Sequence, residues 1–210
     1  MQQYFFRQRE KYRREIVQRY GVSDHEYTEM TRAIAPIAHP FTAAKGEYLQ
    51  RQGGLAQSIY WITEGVTRNG FIVVSGADVT IRFATEGWNA NAHEDLLSIS
   101  DGVPAMQFIM AETAVRGFRW DWADICRLRA ESQFFSNYYL KVLEHMIKLS
   151  ARRTYAFAAS SALERLEAFR SDYPGLECRI SQRILASYLG VTQPYLSRIL
   201  AAHPAGGERS

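Results

Sequence analysis

SQRILASYLGVTQPYLSRIL, residues 181–200, is the most specific stretch of this 210-residue sequence. Its apolar side chains are spaced so that two short helices can close on each other: Leu185, Leu189, Val191, Leu196 and Ile199. Gly190 falls where a tight turn between the helices needs a residue that tolerates positive φ. Ser181 and Thr192 are predicted N-caps of the two helices, and Pro194 suits the first turn of the second. The stretch therefore predicts a compact pair of helices.

The second predicted helix leaves a polar edge free. Gln and Arg side chains can make bidentate hydrogen bonds to base edges, and Tyr and Ser side chains can hold phosphates. A plain αα-hairpin would explain the apolar pattern, but not the small Ala186 at the crossing, the glycine turn and the two caps together. The stretch thus favours a helix-turn-helix that binds double-stranded DNA through six candidate residues: Ser181, Thr192, Gln193, Tyr195, Ser197 and Arg198.

A helix and several short strands are predicted upstream. Ser23 and Glu26 form a capping-box pattern, which opens a helix that ends near Ala35. After Lys45, glycine-containing turn signals separate β-rich runs at 47–51, 58–63, 67–74, 79–84, 105–111 and 113–120. Six short strands at this spacing are typical of an antiparallel sandwich or barrel, so the predicted fold class is α+β.

A long helix is predicted after Trp120. One stripe along it follows alternating steps of three and four, as a heptad seam does: Phe135, Tyr138, Val142, His145, Leu149, Arg152, Ala156 and Ala159. A competing stripe through Tyr139, Leu143 and Met146 fits nearly as well. Two interpretations stay open, because the helix can pair with its copy in a second chain or cover the sheet of its own chain. Residues 173–175 mark a break before the last helices.

Composition excludes several classes of protein. No run approaches the roughly 18 apolar residues of a membrane span, and the N-terminus lacks a secretory signal, so we expect a cytoplasmic protein. Residues 1–20 could form a transit peptide or a membrane-surface helix, but Glu10 and Glu15 favour a solvated amphipathic helix. Cys126 and Cys178 lack partners at metal-ligand spacing, so we expect neither a metal nor a cofactor.

The net charge of +3 is distributed unevenly. Residues 1–20 hold six Lys or Arg against two acids, residues 21–147 hold ten against fifteen, and residues 148–210 hold nine against five. A basic C-terminal segment is what contact with phosphates would need, although many solvated helical faces carry as much charge.

The sequence resembles the Crp/Fnr superfamily of catabolite-activator-like regulators from about Val22 to Leu200. The C-terminal resemblance rests on 162–166 and on 181–199. In the N-terminal half it rests on strand and turn residues: Lys45-Gly46-Glu47-Tyr48-Leu49, Gln52-Gly53, Ile59-Tyr60-Trp61-Ile62-Thr63-Glu64-Gly65 and Thr80-Ile81-Arg82-Phe83 leading to Gly87. The resemblance implies a bacterial transcription regulator with a β-roll sensor, a cyclic-nucleotide-binding-like jelly roll.

The resemblance also implies an organisation and partners. Residues 1–125 would hold the N-terminal helices and the β-roll, 126–160 the long dimerisation helix, and 161–210 the helix-turn-helix. Two chains would form a homodimer on DNA, and RNA polymerase is a candidate further partner. By the resemblance, Gln193 and Arg198 fall on positions that read bases, while Thr192 and Tyr195 lie near the phosphate backbone.

The sequence departs from the cyclic-AMP-binding members of the family. Their phosphate cassette has Gly-Glu-Leu and a later Arg, whereas residues 89–97 and 105–107 here supply neither the Gly nor the Arg, and Glu94 and Asp95 would repel a phosphate. We therefore expect no response to cyclic AMP. The effector, if one exists, is unknown, and the candidate lining residues of its pocket are Trp88, His93, Glu94 and Gln107.

Cofactor-based sensing and enzymatic activity lack support in the sequence. An iron–sulfur sensor would need N-terminal cysteines and a haem sensor a suitable axial ligand. A cupin-type enzyme would need a His-x-His pair, so no enzyme and no catalytic residue is expected.

The resemblance weakens after the second helix of the pair. The family usually follows that helix with a β-hairpin wing, but residues 203–207 here give no evident wing. A wing adds contacts to the phosphate backbone, and its loss would weaken DNA binding. A sensory or protein-interaction module that has lost DNA binding is therefore the alternative function.

Overall fold

The computed structural model describes residues 2–204. Its α-helices are α1 Gln2–Lys11, α2 Arg13–Tyr20, α3 Asp24–Ile34, α4 His93–Leu97, α5 Trp122–Glu131, α6 Gln133–Ala159, α7 Ala162–Asp172, α8 Gln182–Leu189 and α9 Gln193–Ala202. Its strands are β1 His39–Ala43, β2 Tyr48–Gln50, β3 Ser58–Glu64, β4 Thr67–Ile72, β5 Asp78–Ala84, β6 Asn89–Ala90, β7 Phe108–Ala111 and β8 Val115–Asp121.

The strands form two four-stranded antiparallel sheets, which confirms the predicted sandwich. The first sheet has the order β1-β8-β3-β6 and the second the order β2-β7-β4-β5. All six predicted strands are present, but β1 and β6 were not predicted. Pro40 lies in β1 and lacks a backbone donor, which is tolerated because β1 is an edge strand. Strand β6 is only two residues long and shows no alternation.

The space between the two sheets is filled mainly by small side chains. Both sheets contribute to this cluster, whose members are Ala43, Ile62, Ala84, Ala90, Ile109, Ala111 and Val115. Small residues let the sheets approach closely, so the interior has little apolar volume. The remaining interior positions carry polar groups, as described below.

The outer face of the first sheet carries the largest apolar core. Trp61, Phe118 and Trp120 pack there against the N-terminal helices, and the rings of Phe5 and Phe118 meet edge to face with centroids 5.0 Å apart. Phe5 and Ile16 are buried, so the apolar side of the amphipathic helix predicted over residues 1–20 packs on the sheet, and the helix is divided into α1 and α2. Within residues 2–204, no helix has the length and apolar character needed to cross a bilayer.

The long helix α6 begins later than predicted, and the start of its predicted dimer seam faces the chain's own core. Ser132 separates α5 from α6, because its hydroxyl caps α6 by accepting from the N–H of Phe135. Phe135, Tyr138 and Val142, at the start of the predicted dimer seam, are buried in the chain's own core. For these first three positions of the stripe, the interpretation that the helix covers its own sheet is therefore correct.

A different stripe of α6 is left open to solvent. Leu140 is 53% exposed, Ile147 67% and Tyr155 73%, and the exposed Ala151 and Ala158 continue the same helical face. The spacing of seven residues between Leu140 and Ile147 places them one above the other. Neither stripe predicted from the sequence contains these residues.

The capping box at the start of α3 is confirmed, and its glutamate also forms an ion pair with α6. The hydroxyl of Ser23 accepts from the N–H of Glu26, whose carboxylate accepts from the N–H of Ser23 at 2.7 Å. The same carboxylate lies 2.6 Å from the ammonium of Lys141 on α6. The hydrogen bonds from Lys141 and Ser23 lower the pKa of Glu26 to about 2.

Candidate nucleic-acid interface

Helices α8 and α9 close on each other as the sequence predicts. Leu185, Leu189 and Leu196 are buried between them, and the hydroxyl of Ser181 caps α8 by accepting from the N–H of Ile184. Gly190 ends α8 with φ of +66°. A Cβ on this glycine would lie 2.5 Å from Cε1 of Phe157, so both backbone conformation and space require glycine at the turn.

Thr192 holds the N-cap position of α9 but does not cap it. Its backbone is extended, as an N-cap requires, yet its side chain accepts no hydrogen bond from α9. The prediction that its side chain caps the helix was wrong. Pro194 lies in the first turn as predicted, where its missing N–H costs little. The Thr192 hydroxyl is consequently available to another partner.

Helix α9 ends at Ala202, just before the segment where the family would place its wing. Of the residues 203–207 that give no evident wing in the sequence, 205–207 lie outside the described residues. The expectation of a missing wing therefore stays a prediction.

All six residues predicted to contact DNA lie on the solvent side of this helix pair. Ser181 and Thr192 are exposed at the N-termini of α8 and α9, and Gln193, Tyr195, Ser197 and Arg198 are exposed along α9. The N-terminus of each helix directs free backbone N–H groups outward, which suits phosphate oxygens. All six side chains are therefore accessible to a ligand, and four of them lie on α9.

Arg198 is an exposed cation that is not paired with a carboxylate of the described chain. Its guanidinium lies 5.7 Å from the ring centroid of Tyr195, and no carboxylate among the described residues lies within 4.0 Å of it. By contrast, Arg170 pairs with Glu177 at 2.6 Å and Arg179 with Glu86 at 2.7 Å. These two arginines have carboxylate partners, whereas the charge of Arg198 is available to a ligand.

Helix α8 is also docked on the edge of the second sheet. The hydroxyl of Ser187 donates to the carbonyl of Asp78 at 2.8 Å and accepts from the N–H of Thr80 at 2.9 Å. The guanidinium of Arg153 donates to the carbonyl of Thr80 at 2.9 Å. These side chains satisfy backbone groups that an edge strand would otherwise leave unpaired. The contact orients α8 and α9 relative to the β-roll.

Sequence reasoning missed Ser187 and Arg153. A serine on a short amphipathic helix gives no sign that it will bond to a strand far earlier in the chain. The apolar part of the same contact could have been found, because Phe83 is an aromatic residue at a strand position that alternation directs away from the sandwich interior. Its ring packs on Phe169 and Tyr188.

A polar network fills the inside of the β-roll. The buried carboxylate of Asp95 accepts from the backbone N–H of Met106 at 2.8 Å and of Gln107 at 3.1 Å. It also accepts from the side-chain amide of Gln50 at 2.8 Å. Asn69 donates to the carbonyl of Asn91. The Asp95 carboxylate thus satisfies two consecutive backbone donors, as an anionic ligand could.

The four predicted effector residues do not line one pocket. Gln107 donates to the carboxylate of Glu94 at 3.2 Å, and Glu94 borders a cleft of about 420 Å³ between β5, α6 and the C-terminal helices. His93 lies elsewhere, with its Nδ1 3.2 Å from the hydroxyl of Tyr139. The guanidinium carbon of Arg19 lies over the ring of Trp88, 3.6 Å from its centroid. The prediction of a shared pocket was therefore wrong.

Burial makes His93 a source of acid sensitivity. Desolvation lowers its pKa to about 4, so the folded protein keeps the imidazole neutral while the unfolded chain protonates it near its ordinary pKa of about 6.5. The contribution of His93 to the free energy of unfolding, up to about 3 kcal/mol, is fully present above about pH 6.5. It is lost as the pH falls from there toward about 4.

We expect His93→Gln to flatten this dependence. Urea unfolding at about pH 7 and about pH 4.5 should show a smaller loss of unfolding free energy in the variant than in the wild type, since glutamine does not titrate. His25→Gln, at an exposed position of α3, is the control and should behave as the wild type does. Equal losses for all three proteins would show that His93 contributes nothing to the pH dependence.

One cluster has the composition of a metal site. The ligand atoms of His39, Asp121 and Asp124 lie within 4.8 Å of one another. Each carboxylate already has a cation, because Asp121 pairs with Arg119 and Asp124 with Arg127. The ion pairs engage Oδ1 of each carboxylate, so a metal ion would compete with two arginines at this cluster.

Comparisons with known proteins show which solved structures share this fold. Neither a protein-family model nor a curated protein matches the sequence. Solved structures do match: FixK2 from Bradyrhizobium japonicum has a TM-score of 0.67 and 15% identity, over 79% of this chain and 84% of that one. A Crp/Fnr-family transcriptional regulator from Thermus thermophilus has a TM-score of 0.60 and 16% identity, over 80% of this chain and 90% of that one. The fold is that of the Crp/Fnr regulators.

A further matching structure is named for the effector to which it responds. The c-di-GMP-responsive global regulator CLP from Xanthomonas campestris has a TM-score of 0.60 and 12% identity, over 83% of this chain and 90% of that one. Coverage of this extent means that the Crp/Fnr fold accounts for most of this chain. At these identities the similarity establishes architecture, and function has to be argued from the site.

Proposed function

We propose that this chain is a transcription regulator that binds double-stranded DNA through the exposed edge of α9. The observation that carries the proposal is Arg198, an exposed cation without a carboxylate partner among the described residues, on a helix held rigidly by a buried leucine core. Gln193 and Ser197 lie on the same exposed edge. Guanidinium and amide groups in such an arrangement suit the acceptor and donor pattern of the major groove.

The proposed active species is a homodimer formed along the exposed stripe of α6. Leu140, Ile147, Ala151 and Ala158 would meet their copies in a two-helix seam, since large apolar side chains on a long solvent-facing helix gain free energy by mutual burial. A two-fold axis along this seam would present two α9 helices to one side of the duplex. Successive major grooves lie about 34 Å apart, which sets the separation that the dimer needs.

The β-roll is proposed to act without cyclic AMP. The backbone donors of Met106 and Gln107, in the stretch where the family resemblance would place the cation of the phosphate cassette, already serve Asp95. A phosphate would have to displace this buried carboxylate and would then face its negative charge. We therefore propose a cytoplasmic regulator that is controlled by another effector or by its own abundance.

Substitution of Arg198 tests the DNA contact. Duplexes that the wild type binds are first selected from a random pool, and affinities are then measured by fluorescence anisotropy. Arg198→Ala should weaken binding to the selected duplex by about 1 to 3 kcal/mol and relax preference at one position of each half-site. The loss follows from removing a bidentate donor that no other side chain replaces.

Arg14→Ala is the matched control, because Arg14 is an exposed arginine of the N-terminal helix α2. It removes the same charge and should change affinity only through weak long-range electrostatics. Equal affinity and unchanged preference in Arg198→Ala would remove Arg198 from the interface. Absence of wild-type binding even at low salt would favour a protein-interaction module over a regulator.

A further inference from the structure

A small cavity lies outside the β-roll, beneath the N-terminal helices. Its volume is about 70 Å³, and it is bounded by α1, α2 and α3, by the outer face of the first sheet and by the first half of α6. Most of its wall is apolar, with Ile16, Met30, Ile59 and Val142 among the lining residues. It is separate from the polar network inside the β-roll and from the α9 edge.

An arginine without a counter-ion lines this cavity. Arg9 is only 4% exposed, yet no carboxylate among the described residues lies within 4.0 Å of its guanidinium. Its terminal nitrogen is 3.8 Å from the sulfur of Met30, and its Nε–H has no acceptor in the described chain. The guanidinium lies 4.8 Å from the ring centroid of Trp61 and 5.1 Å from that of Tyr27.

Two further lining residues offer interactions that suit an anionic ligand. Trp61, also on the wall, is almost fully buried, and its indole N–H has no acceptor among the described residues. Arg19 is a second lining residue, with its guanidinium bonded to the carbonyl of Gly87 and no carboxylate within 4.0 Å over residues 2–204. Burial lowers the pKa of Arg19, and the charge of Arg9 adds a smaller contribution in the same direction.

Physical chemistry makes this arrangement costly without a ligand. A buried cation needs a paired charge and hydrogen-bond acceptors, and two cations around one cavity repel each other. Aromatic faces supply part of the missing interaction, but they accept no hydrogen bond from the Nε–H of Arg9 or the indole N–H of Trp61 as an oxyanion does. Both donors therefore lack an acceptor, and an anion is the kind of acceptor that also compensates the charge of Arg9.

We propose that the cavity is a binding site for a short-chain monocarboxylate held by Arg9 and Trp61. The carboxylate would accept from the Nε–H of Arg9 and the indole N–H of Trp61, and Arg19 would add a second positive charge. The apolar wall formed by Ile16, Met30 and Val142 would contact the alkyl tail. A cavity of this volume holds roughly five water molecules, which limits the ligand to about four to six heavy atoms.

Binding to the DNA-free protein provides the test. Acetate, propionate and butyrate are titrated into the full chain by calorimetry and thermal unfolding at constant ionic strength, with chloride and phosphate as inorganic probes. The wild type should bind one carboxylate with saturation, and a concentration 100 times Kd should raise Tm by roughly 5 to 10 °C. Affinity should rise from acetate to butyrate, because each added methylene is buried.

Variants distinguish the site from a general effect of salt. Arg9→Met should weaken carboxylate binding at least tenfold, whereas Arg7→Met, at an exposed position of the same helix, should bind as the wild type does. Trp61→Phe keeps a ring but removes the donor, and should weaken binding several-fold. If Arg9→Met does not fold, the affinity of Trp61→Phe for the carboxylate tests the proposed site.

Three results would overturn the proposal: no saturable binding to the wild type, an equal response to chloride and the carboxylates, or wild-type affinity in both Trp61→Phe and Arg9→Met. None of these measurements involves DNA. The outcome is therefore independent of whether the chain proves to be a DNA-binding regulator.

Discussion

Ile147→Glu is expected to leave the chain folded and to reduce its affinity for a two-half-site duplex at least 100-fold. Ile147 is 67% exposed, so glutamate replaces no buried contact within the chain. In the proposed dimer the two glutamates would instead face each other across the seam, where like charges repel. Loss of the dimer also loses the avidity of paired recognition helices, which accounts for the roughly 100-fold size of the effect.

Light scattering and fluorescence anisotropy on the same samples measure both consequences. Ser150→Glu is the control, because Ser150 is an exposed residue of α6 that lies off the apolar stripe. It introduces the same charge and should stay dimeric. A dimeric Ile147→Glu protein with wild-type affinity would rule out the seam through Leu140 and Ile147.

Arg68→Met is expected to lower the free energy of unfolding by about 3 to 5 kcal/mol. Arg68 is 2% exposed and lies between two carboxylates, with its Nε donating to Glu112 and its terminal nitrogens donating to Asp78 at 2.6 and 2.7 Å. Methionine fills part of the volume but leaves the buried carboxylate of Glu112 without a partner. The uncompensated charge dominates the cost.

A double substitution separates charge from packing. Arg68→Met with Glu112→Gln should recover part of the loss, since the buried negative charge is removed, and urea unfolding measures the difference. Arg116→Met is the surface control: Arg116 is exposed and lies 3.8 Å from Glu64, so it should cost less than about 1 kcal/mol. If the double variant is as unstable as the sum of its parts, the ion pair is not the cause.

The helix-turn-helix could be predicted because its determinants are local. Ser181, Gly190 and Pro194 each act within a few residues, and the structure has them in the predicted cap, turn and first-turn positions. The strands of the sandwich were predictable for a similar reason, since alternation and turn residues are properties of short segments. Pro40 obscured the edge strand β1.

The orientation of α6 could not be predicted because three of its faces carry apolar residues. Phe135 and Leu149 mark one stripe, Tyr139 and Met146 a second, and Leu140 and Ile147 a third. Which face meets the sheet depends on where α1 and α3 also pack, and helix periodicity does not contain that information. The partner of a solvent-facing stripe is still less accessible from one chain.

The pocket predicted for an effector could not be located from the sequence, for a different physical reason. Trp88 contacts Arg19 and His93 contacts Tyr139, whereas Gln107 and Glu94 bond to each other. The sequence does not show in which direction a side chain of a loop or short helix points. Arg9 was hidden in the same way, since basic residues near an N-terminus are usually solvated.

The salt dependence of wild-type binding tests whether the chain binds DNA as a regulator does. Affinity for a selected duplex and for a random duplex is measured between low and moderate salt. We expect the selected duplex to be preferred at every salt concentration, and log K to fall linearly with log salt as phosphate contacts release counterions. Absence of binding to either duplex at low salt would contradict the proposed function.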